Sequence, residues 1–577
     1  LVSRISLYRS VIAMKGIILW LTCLVVCSNL DSIQANLTKV CFDGLSCVHG
    51  RYMSGYDSYT FEAFLGIPYA KPPIGNLRFS NPEVAALWNG TLSTLYPKPD
   101  CIQREYSTSS KMISGSEDCL YLNIYRPLQR AGGKLPVMFY IHGGGLFSGT
   151  PSPVNVGPQY FMAMNDVILI VPAYRLGPFG FLSTNDTEMM GNYGLKDQNL
   201  ALKWVNKYIS AFGGDPNSVT IFGHSAGAVS VHLHLMNRDK KASPLFHNAV
   251  MMSGVANSPF HEPLSDPKGQ VIKLAKAAGV SEAEYLSSAS LVQALRSIKA
   301  ETLLQAVDSL KVWDVHPYIT FRPNIENDDW SGAYVTNGQY LYDGKIPYGT
   351  SDDVPWIVGN APAKGEGLVV ALHLASDTKL QEDFNSNFNE TLSLLLDLST
   401  ECNQEIIIDL LVTEYMDGRY ELNNYTLNGF LELLGDAHFI YPTYTLLKNN
   451  VNSTRDDFKG IIHFNYRGPY SYSTALSNSS KNFGPAHADD SLYLFHRASY
   501  PYSKNSPEAS LVRRYVRLFQ TFASTGNAEI QECNGEDFPD NCEYLSIVND
   551  DDEPFQTGNT WNTERMDIWD QIYTTYC

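Results

Sequence analysis

A serine between two glycines is the residue of this sequence best suited to act as a nucleophile. The segment Gly223-His224-Ser225-Ala226-Gly227 has the spacing Gly-x-Ser-x-Gly, and it lies between an apolar run and a stretch that can continue as a helix. A sharp turn from strand to helix would expose the Ser225 hydroxyl, and the two glycines would avoid collisions with neighbouring elements. The motif alone is weak, because glycine is common enough for it to occur by chance in roughly one chain of this length in five. A surface turn is the alternative interpretation.

A run of three glycines could supply hydrogen-bond donors next to such a nucleophile. His142-Gly143-Gly144-Gly145 ends the apolar run 135–141. Without side chains, this backbone can pass close to a ligand with its N–H groups pointing inward. Glycine-rich loops also bind phosphates, but this one lacks the Lys-Ser/Thr ending of a P-loop.

Apolar runs that alternate with helical segments indicate the elements that would position these groups. Strand-like runs lie at 135–141, 167–171, 219–222, 249–252, 354–358 and 460–466. Helical segments lie at 197–209 and 511–522, with long helical insertions at about 265–312 and 366–450. This alternation predicts an α/β fold with a mostly parallel sheet covered by helices on both faces. Ser225 and the glycine run would then lie at the carboxyl ends of strands, where reactive groups collect.

The charge balance excludes some classes of partner. Among 577 residues, 60 are acidic and 42 are basic, which gives a net charge of −18. Such a charge disfavours binding to nucleic acid or to an anionic membrane surface. The sequence also has no basic run, heptad pattern or internal repeat.

The first residues are typical of a secretory signal. Met14 is the first methionine, and an apolar run extends from 16 to 27. A basic start, a short apolar core and polar residues after it are typical of a signal peptide, and the run is shorter than the ~20 apolar residues of a membrane span. We therefore expect 1–13 to be read-through of an untranslated region and 14–28 to be the signal peptide, with cleavage after Ser28 or after Ala35. Residues 36–577 would form a single extracellular domain without a transmembrane segment.

Secretion predicts oxidised cysteines and glycosylation. Cys101 and Cys119 bracket a polar loop, and a disulfide that closes it would contribute about 3 kcal/mol in the chain-entropy model. Cys533 and Cys542 are the other expected pair. The sequence does not pair four further cysteines, Cys41, Cys47, Cys402 and Cys577. Sites of the form Asn-x-Ser/Thr begin at Asn36, Asn89, Asn185, Asn389, Asn424, Asn452 and Asn478.

Several segments together resemble the type-B carboxylesterase and cholinesterase family of α/β-hydrolases. Glu117-Asp118-Cys119-Leu120-Tyr121-Leu122-Asn123 resembles the family's second signature, and His142-Gly143-Gly144-Gly145 resembles its oxyanion loop. Further matching segments are 192–198, 212–216, 223–227 and 565–569. The resemblance covers nearly the whole mature chain, and the segments are most similar to those of secreted insect esterases. It implies an α/β-hydrolase fold with large helical insertions and the activity of a serine esterase.

The resemblance also assigns the partners of Ser225. In this fold the nucleophile is followed along the chain by an acid and then by a histidine. His487 stands in a sequence similar to the family's Gly-x-x-His-x-Asp-Asp pattern, just after a late strand-like run. Glu366, which follows the strand-like run at 354–358, is the expected acid. Asp489 and Asp490 are rivals by sequence proximity, but they come after the histidine.

The reaction that the resemblance implies is ester hydrolysis through an acyl-enzyme. The histidine would take the proton of the serine, and the acid would orient the imidazole. The oxyanion would be held by the N–H groups of Gly144, Gly145 and Ala226. No metal and no cofactor are expected, and the partner is a small-molecule ester; the sequence does not predict the oligomeric state. A non-catalytic adhesion protein is the alternative from another class, but such relatives lose a member of the triad.

Two departures from the family pattern bear on the substrate. Cholinesterases hold a quaternary ammonium group against a Trp in the loop closed by the first disulfide, whereas the 101–119 loop has Tyr106 as its one aromatic residue. His224 stands where cholinesterases have Glu and insect juvenile hormone esterases typically have Gln. We therefore expect small to medium, mostly apolar esters (xenobiotic, odorant or lipid-derived), with a juvenile hormone esterase or a lipase as alternatives. A choline ester would need a cation site from elsewhere, for example Trp330 or Tyr334.

Overall fold

The structure of the protein is a computed structural model. It describes residues 37–577 apart from 107–110, 129–131, 238–243, 336–353, 451–457, 529, 531–532, 534–538, 540–541, 550–552 and 559–560. The strands, β1 to β15 in chain order, lie at Leu37–Cys41, Ser46–Ser54, Thr60–Pro68, Gly90–Ser93, Gln103–Arg104, Ile113–Ser114, Tyr121–Pro127, Leu135–Ile141, Ile168–Pro172, Gly214–His224, Asn248–Met252, Trp356–Asn360, Lys459–Phe464, Tyr544–Ile547 and Phe555–Gly558.

The helices fall between and after these strands. The α-helices lie at Gln159–Met164, Gly177–Phe181, Tyr193–Tyr208, Ala226–Met236, Pro267–Ala277, Ser288–Ser297, Ala300–Ala306, Ala363–Ala371, Thr378–Ser386, Phe388–Leu395, Gln404–Met416, Leu427–Gly435, Tyr441–Asn450, Ser473–Ser477, Ala509–Thr525 and Thr563–Gln571. Within the described ranges, none of the helices is long and apolar enough to cross a membrane.

A large sheet, parallel at its centre and antiparallel at its edges, organises these elements. The strand order is β1-β2-β3-β7-β9-β8-β10-β11-β12-β13-β14-β15, with β4 beside β2. Pairing is parallel from β9 through β8, β10, β11, β12 and β13 to β14, and it is antiparallel from β1 to β9 and between β14 and β15. The predicted α/β fold is confirmed, because each of the predicted strand-like runs corresponds to a strand in the parallel central part of the sheet.

The central strands are apolar because both faces of the sheet are covered. In β8, Val137 and Phe139 pack into the core on one face, whereas Met138 packs into the core on the other. The first core includes the buried side of the helix Tyr193–Tyr208, and the second includes that of Ala509–Thr525. Burial on two faces gives β8 a continuous apolar sequence, and this signal made the strand predictable.

The two predicted insertions are helical and share a third core. The first contains the helices from Pro267 to Ala306, and the second contains those from Ala363 to Asn450. Their apolar side chains form one cluster with Val229 and Leu233 of the helix that follows Ser225. The insertions therefore pack directly against the element that carries the candidate nucleophile.

Four disulfides join cysteines of the described chain. Two are the predicted pairs, Cys101–Cys119 and Cys533–Cys542. The others, Cys41–Cys47 and Cys402–Cys577, were left open by the sequence. The Cys402–Cys577 bond joins the second insertion to the C-terminus across a sequence separation of 175.

The predicted glycosylation sites that the structure describes are exposed. They are Asn89, Asn185, Asn389, Asn424 and Asn478. Asn36, Asn452 and the predicted signal segment lie outside the described residues.

Removing the long-range disulfide should destabilise the protein more than removing a short one. In the chain-entropy model a loop as long as that of Cys402–Cys577 contributes about 5 kcal/mol, whereas a loop of a few residues such as that of Cys41–Cys47 contributes about 2 kcal/mol. We expect the double variant Cys402→Ser, Cys577→Ser to unfold at a clearly lower temperature than Cys41→Ser, Cys47→Ser. Non-reducing peptide mapping of the wild type provides the control, and a free thiol at Cys402 would contradict the pairing.

Candidate active site

Ser225 lies on a strained turn between a strand and a helix. It follows β10 directly and precedes the helix Ala226–Met236, with φ 58° and ψ −127°. A residue with a side chain rarely adopts a positive φ, so neighbouring contacts must hold it there. Its N–H donates to the carbonyl of Met252 on β11 at 2.8 Å, and its carbonyl accepts from the N–H of Val229 at 3.0 Å. The turn is thus tied to both the sheet and the helix.

The two glycines of the motif are required by close backbone contacts. A Cβ atom on Gly223 would lie 2.4 Å from the carbonyl group of Gly227. A Cβ atom on Gly227 would lie 2.1 Å from the carbonyl oxygen of Ile141 at the end of β8. Both distances are far below van der Waals contact, which explains the spacing of glycines around the serine.

Glu366 holds His487 by a short hydrogen bond. Glu366 lies in the helix Ala363–Ala371 just after β12, and its side chain is fully buried. Its Oε2 atom is 2.5 Å from Nδ1 of His487. Its Oε1 atom accepts hydrogen bonds from the Ser253 hydroxyl and the Ala361 N–H, both at 2.7 Å. The carboxylate is therefore fixed on both oxygens, and the imidazole is oriented with Nε2 facing away from it.

The loop that carries His487 is locked to the helix that carries Glu366. The N–H of His487 donates to the carbonyl of Gly365 at 3.1 Å. A Cβ atom on Gly365 would lie 1.8 Å from the carbonyl oxygen of Pro485, so this approach needs glycine. Asp489 accepts from the N–H groups of Ala486 and Tyr472 at 2.9 and 2.7 Å. Asp489 thus holds the loop and does not contact the imidazole.

A buried His–Asp pair lies beside the Glu366–His487 pair. His224 Nε2 is 3.6 Å from Asp490 Oδ1, and the rings of His224 and His487 have centroids 4.6 Å apart. Burial, together with the charges of His487 and Arg497, lowers the pKa of His224 well below its ordinary value. Burial first and the Glu366 charge second raise the pKa of Asp490 to about 8. At neutral pH both groups are mostly uncharged, so neither disturbs the Glu366–His487 hydrogen bond with a second charge.

The glycine run approaches the serine from the neighbouring strand. Gly144 and Gly145 have φ of 114° and 60°, and a Cβ atom on Gly144 would lie 2.2 Å from the carbonyl oxygen of Ser148. A Cβ atom on Gly143 would lie 2.5 Å from the carbonyl oxygen of His224, so this loop passes against the turn. The carbonyl of His142 accepts from the Tyr174 hydroxyl at 2.7 Å, which fixes the start of the loop.

One cavity of about 420 Å³ connects the groups that the sequence singled out. Ser225, His487 and the N–H-bearing residues Gly144, Gly145 and Ala226 all line it. One set of lining side chains is apolar: Phe260, Tyr318, Ile319, Val369 and Phe439. A second set is polar: Asn155, Tyr472, Ser491 and Arg497. The cavity can therefore receive a small molecule with its reacting carbon next to the serine.

Some functional residues had no signal in the sequence. The hydrogen bond from Ser253 to Glu366 and the approach of Asp490 to His224 join residues far apart in the chain. Neither Trp330 nor Tyr334 lines the cavity, and the Tyr334 hydroxyl contacts His234 instead. Those two residues therefore offer no cation site. In the described part of the chain, no group of three His, Cys, Asp or Glu residues is arranged to hold a metal ion.

Comparisons with known proteins agree with this architecture. The sequence model of the carboxylesterase family matches residues 42–569. A juvenile hormone esterase from Tribolium castaneum is 36% identical over 82% of this chain and 81% of its own, and a carboxylic ester hydrolase from Bombus ignitus is 31% identical over 92% and 93%. The crystal structure of juvenile hormone esterase from Manduca sexta, with OTFP covalently attached, superposes with a TM-score of 0.77 at 25% identity and covers 93% of this chain and 99% of that one. The chain therefore belongs to the carboxylesterase family and is a carboxylic ester hydrolase.

Proposed function

We propose that the protein is a secreted serine esterase that uses Ser225, His487 and Glu366 to hydrolyse small to medium, mostly apolar carboxylic esters through an acyl-enzyme. The observation that supports this most strongly is that His487, held by Glu366 through Nδ1 at 2.5 Å, shares one cavity with Ser225 and the glycine loop. A carboxylate-held imidazole that shares a cavity with a serine is the arrangement that general-base activation of a hydroxyl requires.

In the acylation step, His487 acts as the base. Its Nδ1–H donates to Glu366, which leaves Nε2 unprotonated and able to accept a proton. As Nε2 takes the proton of Ser225, Oγ forms a bond to the carbonyl carbon, and the electron pair of the C=O bond moves to oxygen. Glu366 stabilises the imidazolium that results.

The negative oxygen is received by backbone donors. The N–H groups of Gly144, Gly145 and Ala226 are the donors that we assign to it, and loss of one such donor typically costs about 2.7–4 kcal/mol of barrier. When the tetrahedral intermediate collapses, the C–O bond to the alcohol breaks, and the alcohol oxygen takes the proton from His487. Water then attacks the acyl-serine with the same base, which releases the acid and restores Ser225.

The cavity bears on the size and polarity of the substrate. Its volume of about 420 Å³ is in the usual range for sites that bind small molecules. Phe260, Ile319 and Val369 on its wall favour an apolar acyl or alcohol group. The disulfides and the exposed asparagines of the described sequons support an extracellular location.

A juvenile hormone esterase is the second candidate. The names of the relatives from Tribolium castaneum and Manduca sexta favour it. His224, in the position where such enzymes typically have Gln, favours a more general carboxylesterase. The ratio of kcat/KM for juvenile hormone to kcat/KM for short alkyl esters distinguishes the two.

The buried Asp490 gives the proposed site a pH-dependent stability. Its pKa is 3.8 when unperturbed and about 8 in the folded protein. Between these two pH values Asp490 is protonated in the folded state but ionised in the unfolded state. The free energy of unfolding therefore keeps its full contribution from Asp490 at low pH and loses it as the pH rises. The loss amounts to about 1.4 kcal/mol for each pH unit inside this window.

Replacement of Ser225 or His487 should stop turnover to a similar extent. We expect Ser225→Ala and His487→Ala each to lower kcat by several orders of magnitude, and the double variant to be little worse, because members of a triad act as a unit. His373→Ala, a half-buried histidine outside the cavity, serves as the matched control and should retain activity. Substantial turnover by Ser225→Ala, or additive losses in the double variant, would contradict the assignment.

Choline esters should have no advantage over uncharged esters of the same shape. The 101–119 loop lacks the Trp that cholinesterases use, and Trp330 and Tyr334 do not line the cavity. The predicted sources of a cation–π contact with a quaternary ammonium group are therefore missing from the site. The measurement is kcat/KM for acetylcholine and for 3,3-dimethylbutyl acetate. A preference of tenfold or more for acetylcholine, about 1.4 kcal/mol, would show that the alcohol pocket binds cations.

Asp490→Asn should stabilise the protein at alkaline pH relative to the wild type. The amide is uncharged at every pH, so the difference in unfolding free energy between variant and wild type should increase by about 4 kcal/mol from pH 5 to pH 8. Unfolding temperatures at both pH values test this, with Asp328→Asn at an exposed position as control. A difference that does not change with pH would show that Asp490 is charged in the folded state throughout.

A further inference from the structure

Arg497 brings a positive charge to the wall of the active-site cavity. It lines the same cavity as Ser225 and His487. The chain is held here by two hydrogen bonds: the N–H of the preceding residue, His496, donates to the carbonyl of Gly157 at 3.1 Å, and the carbonyl of Arg497 accepts from the N–H of Tyr500 at 3.1 Å. The guanidinium is therefore attached to a rigid part of the cavity.

Arg497 differs from the paired arginines of the interior. Arg78, Arg126 and Arg175 each form an ion pair with a glutamate or aspartate. Within the described ranges, no carboxylate pairs with Arg497, and its Nε atom is buried without a hydrogen-bond partner. A partly buried cation without a counter-ion is costly, so its position on the wall of the cavity that contains Ser225 points to a ligand.

The neighbours of Arg497 leave its donors free for such a ligand. The guanidinium carbon lies 5.2 Å from the ring centroid of Tyr472. Contact with the face of a ring leaves the N–H groups in the plane of the guanidinium, where they match the two oxygens of a carboxylate. Burial raises the pKa of Tyr472 to about 12, so its hydroxyl stays neutral and does not compete as an anion.

The charges on the cavity wall differ between its two sets of side chains. The positive charge of Arg497 acts on His224, Tyr140 and Tyr472. The Asp490 carboxyl acts on Tyr140 and Tyr472 in the opposite direction, as Asp489 does on Tyr472, but Arg497 is the largest electrostatic influence on both tyrosines. The carboxylate of Glu105 also lines the cavity, but its charge acts on Tyr318 in the apolar set. An anionic group of a bound molecule is therefore attracted toward Arg497 and repelled from Glu105.

We propose that Arg497 forms a subsite for a carboxylate carried by the substrate, away from the ester bond that is cleaved. The preferred substrates are then amphiphilic esters with one anionic end, for example hemiesters of dicarboxylic acids. This inference rests on the proposed function, because the subsite lies in the same cavity as Ser225. It narrows the substrate class from apolar esters in general to those with a negatively charged end.

Two pairs of matched esters test the subsite on the secreted, full-length protein. In the first pair the carboxylate is on the acyl side: 4-nitrophenyl hydrogen adipate against 4-nitrophenyl hexanoate. In the second it is on the alcohol side: 4-acetoxybenzoate against 4-acetoxybenzamide, in which the acetyl ester is again the one ester bond. The readout is the ratio of kcat/KM for the anionic ester to that for the neutral one, which cancels any loss of activity common to both.

We expect Arg497→Gln to lower this ratio at least tenfold in one of the two pairs, and that pair identifies the side of the ester that faces Arg497. Arg497→Lys, which keeps the charge without the planar fork, should give an intermediate ratio. Arg513→Gln, at an exposed position on the helix Ala509–Thr525, should leave the ratio at the wild-type value.

An equal ratio in the wild type and in Arg497→Gln, for both pairs, would overturn the subsite. That outcome leaves the proposed function intact as long as Ser225→Ala is inactive on the neutral esters. Conversely, neutral ester hydrolysis by Ser225→Ala would reject the proposed function itself, so the two failures are distinguishable.

Discussion

The hydrogen bond between Glu366 and His487 depends on two chain segments that approach more closely than side chains would allow. The helix that begins at Ala363 contacts the loop before His487 at Gly365, where a Cβ atom would lie 1.8 Å from the carbonyl oxygen of Pro485. Glu366 is anchored in turn by Ser253 and Ala361. The carboxylate thus connects β11, β12 and the late loop, and the position of the imidazole follows from this connection. In the proposed mechanism, the same carboxylate also fixes the direction in which Nε2 of His487, the proton-accepting nitrogen, points.

Strain at Ser225 is the second constraint, and the same packing sustains it. A positive φ at a serine costs on the order of 1–3 kcal/mol. It persists because the N–H of Ser225 donates a hydrogen bond to the carbonyl of Met252, and the carbonyl of Ser225 accepts one from the N–H of Val229. Gly254 passes so close that a Cβ atom there would lie 2.5 Å from the carbonyl oxygen of Ser225. The serine cannot relax without moving β11 or the helix, which keeps its side chain at the cavity.

The sequence predicted those parts of the fold and of the site that depend on residues close together in the chain. Apolar runs such as 135–141 marked the central strands. A strand that is buried on both faces needs apolar side chains at nearly every position, so its sequence is a continuous apolar run. The Gly-x-Ser-x-Gly motif and the three-glycine run mark close backbone contacts that only glycine permits. By contrast, the antiparallel strands Ser46–Ser54 and Thr60–Pro68 are each nine residues long but mix polar with apolar residues, so their patterns are weaker. His224 and Asp490 are more than 260 residues apart in the chain, and their approach depends on how the insertions fold, so no local pattern could predict it. Arg497 has no motif of its own, and its role is suggested only by its place on the cavity wall.

The most direct test of the proposed triad is the crystal structure of the protein after reaction with a dialkyl 4-nitrophenyl phosphate. We expect a single phosphoryl group on Oγ of Ser225, with its P=O oxygen about 2.7–3.1 Å from the N–H groups of Gly144, Gly145 and Ala226. His487 should keep its hydrogen bond to Glu366 through Nδ1. A phosphoryl group on any other residue, or a P=O oxygen directed away from the glycine loop, would contradict the proposed triad and oxyanion site.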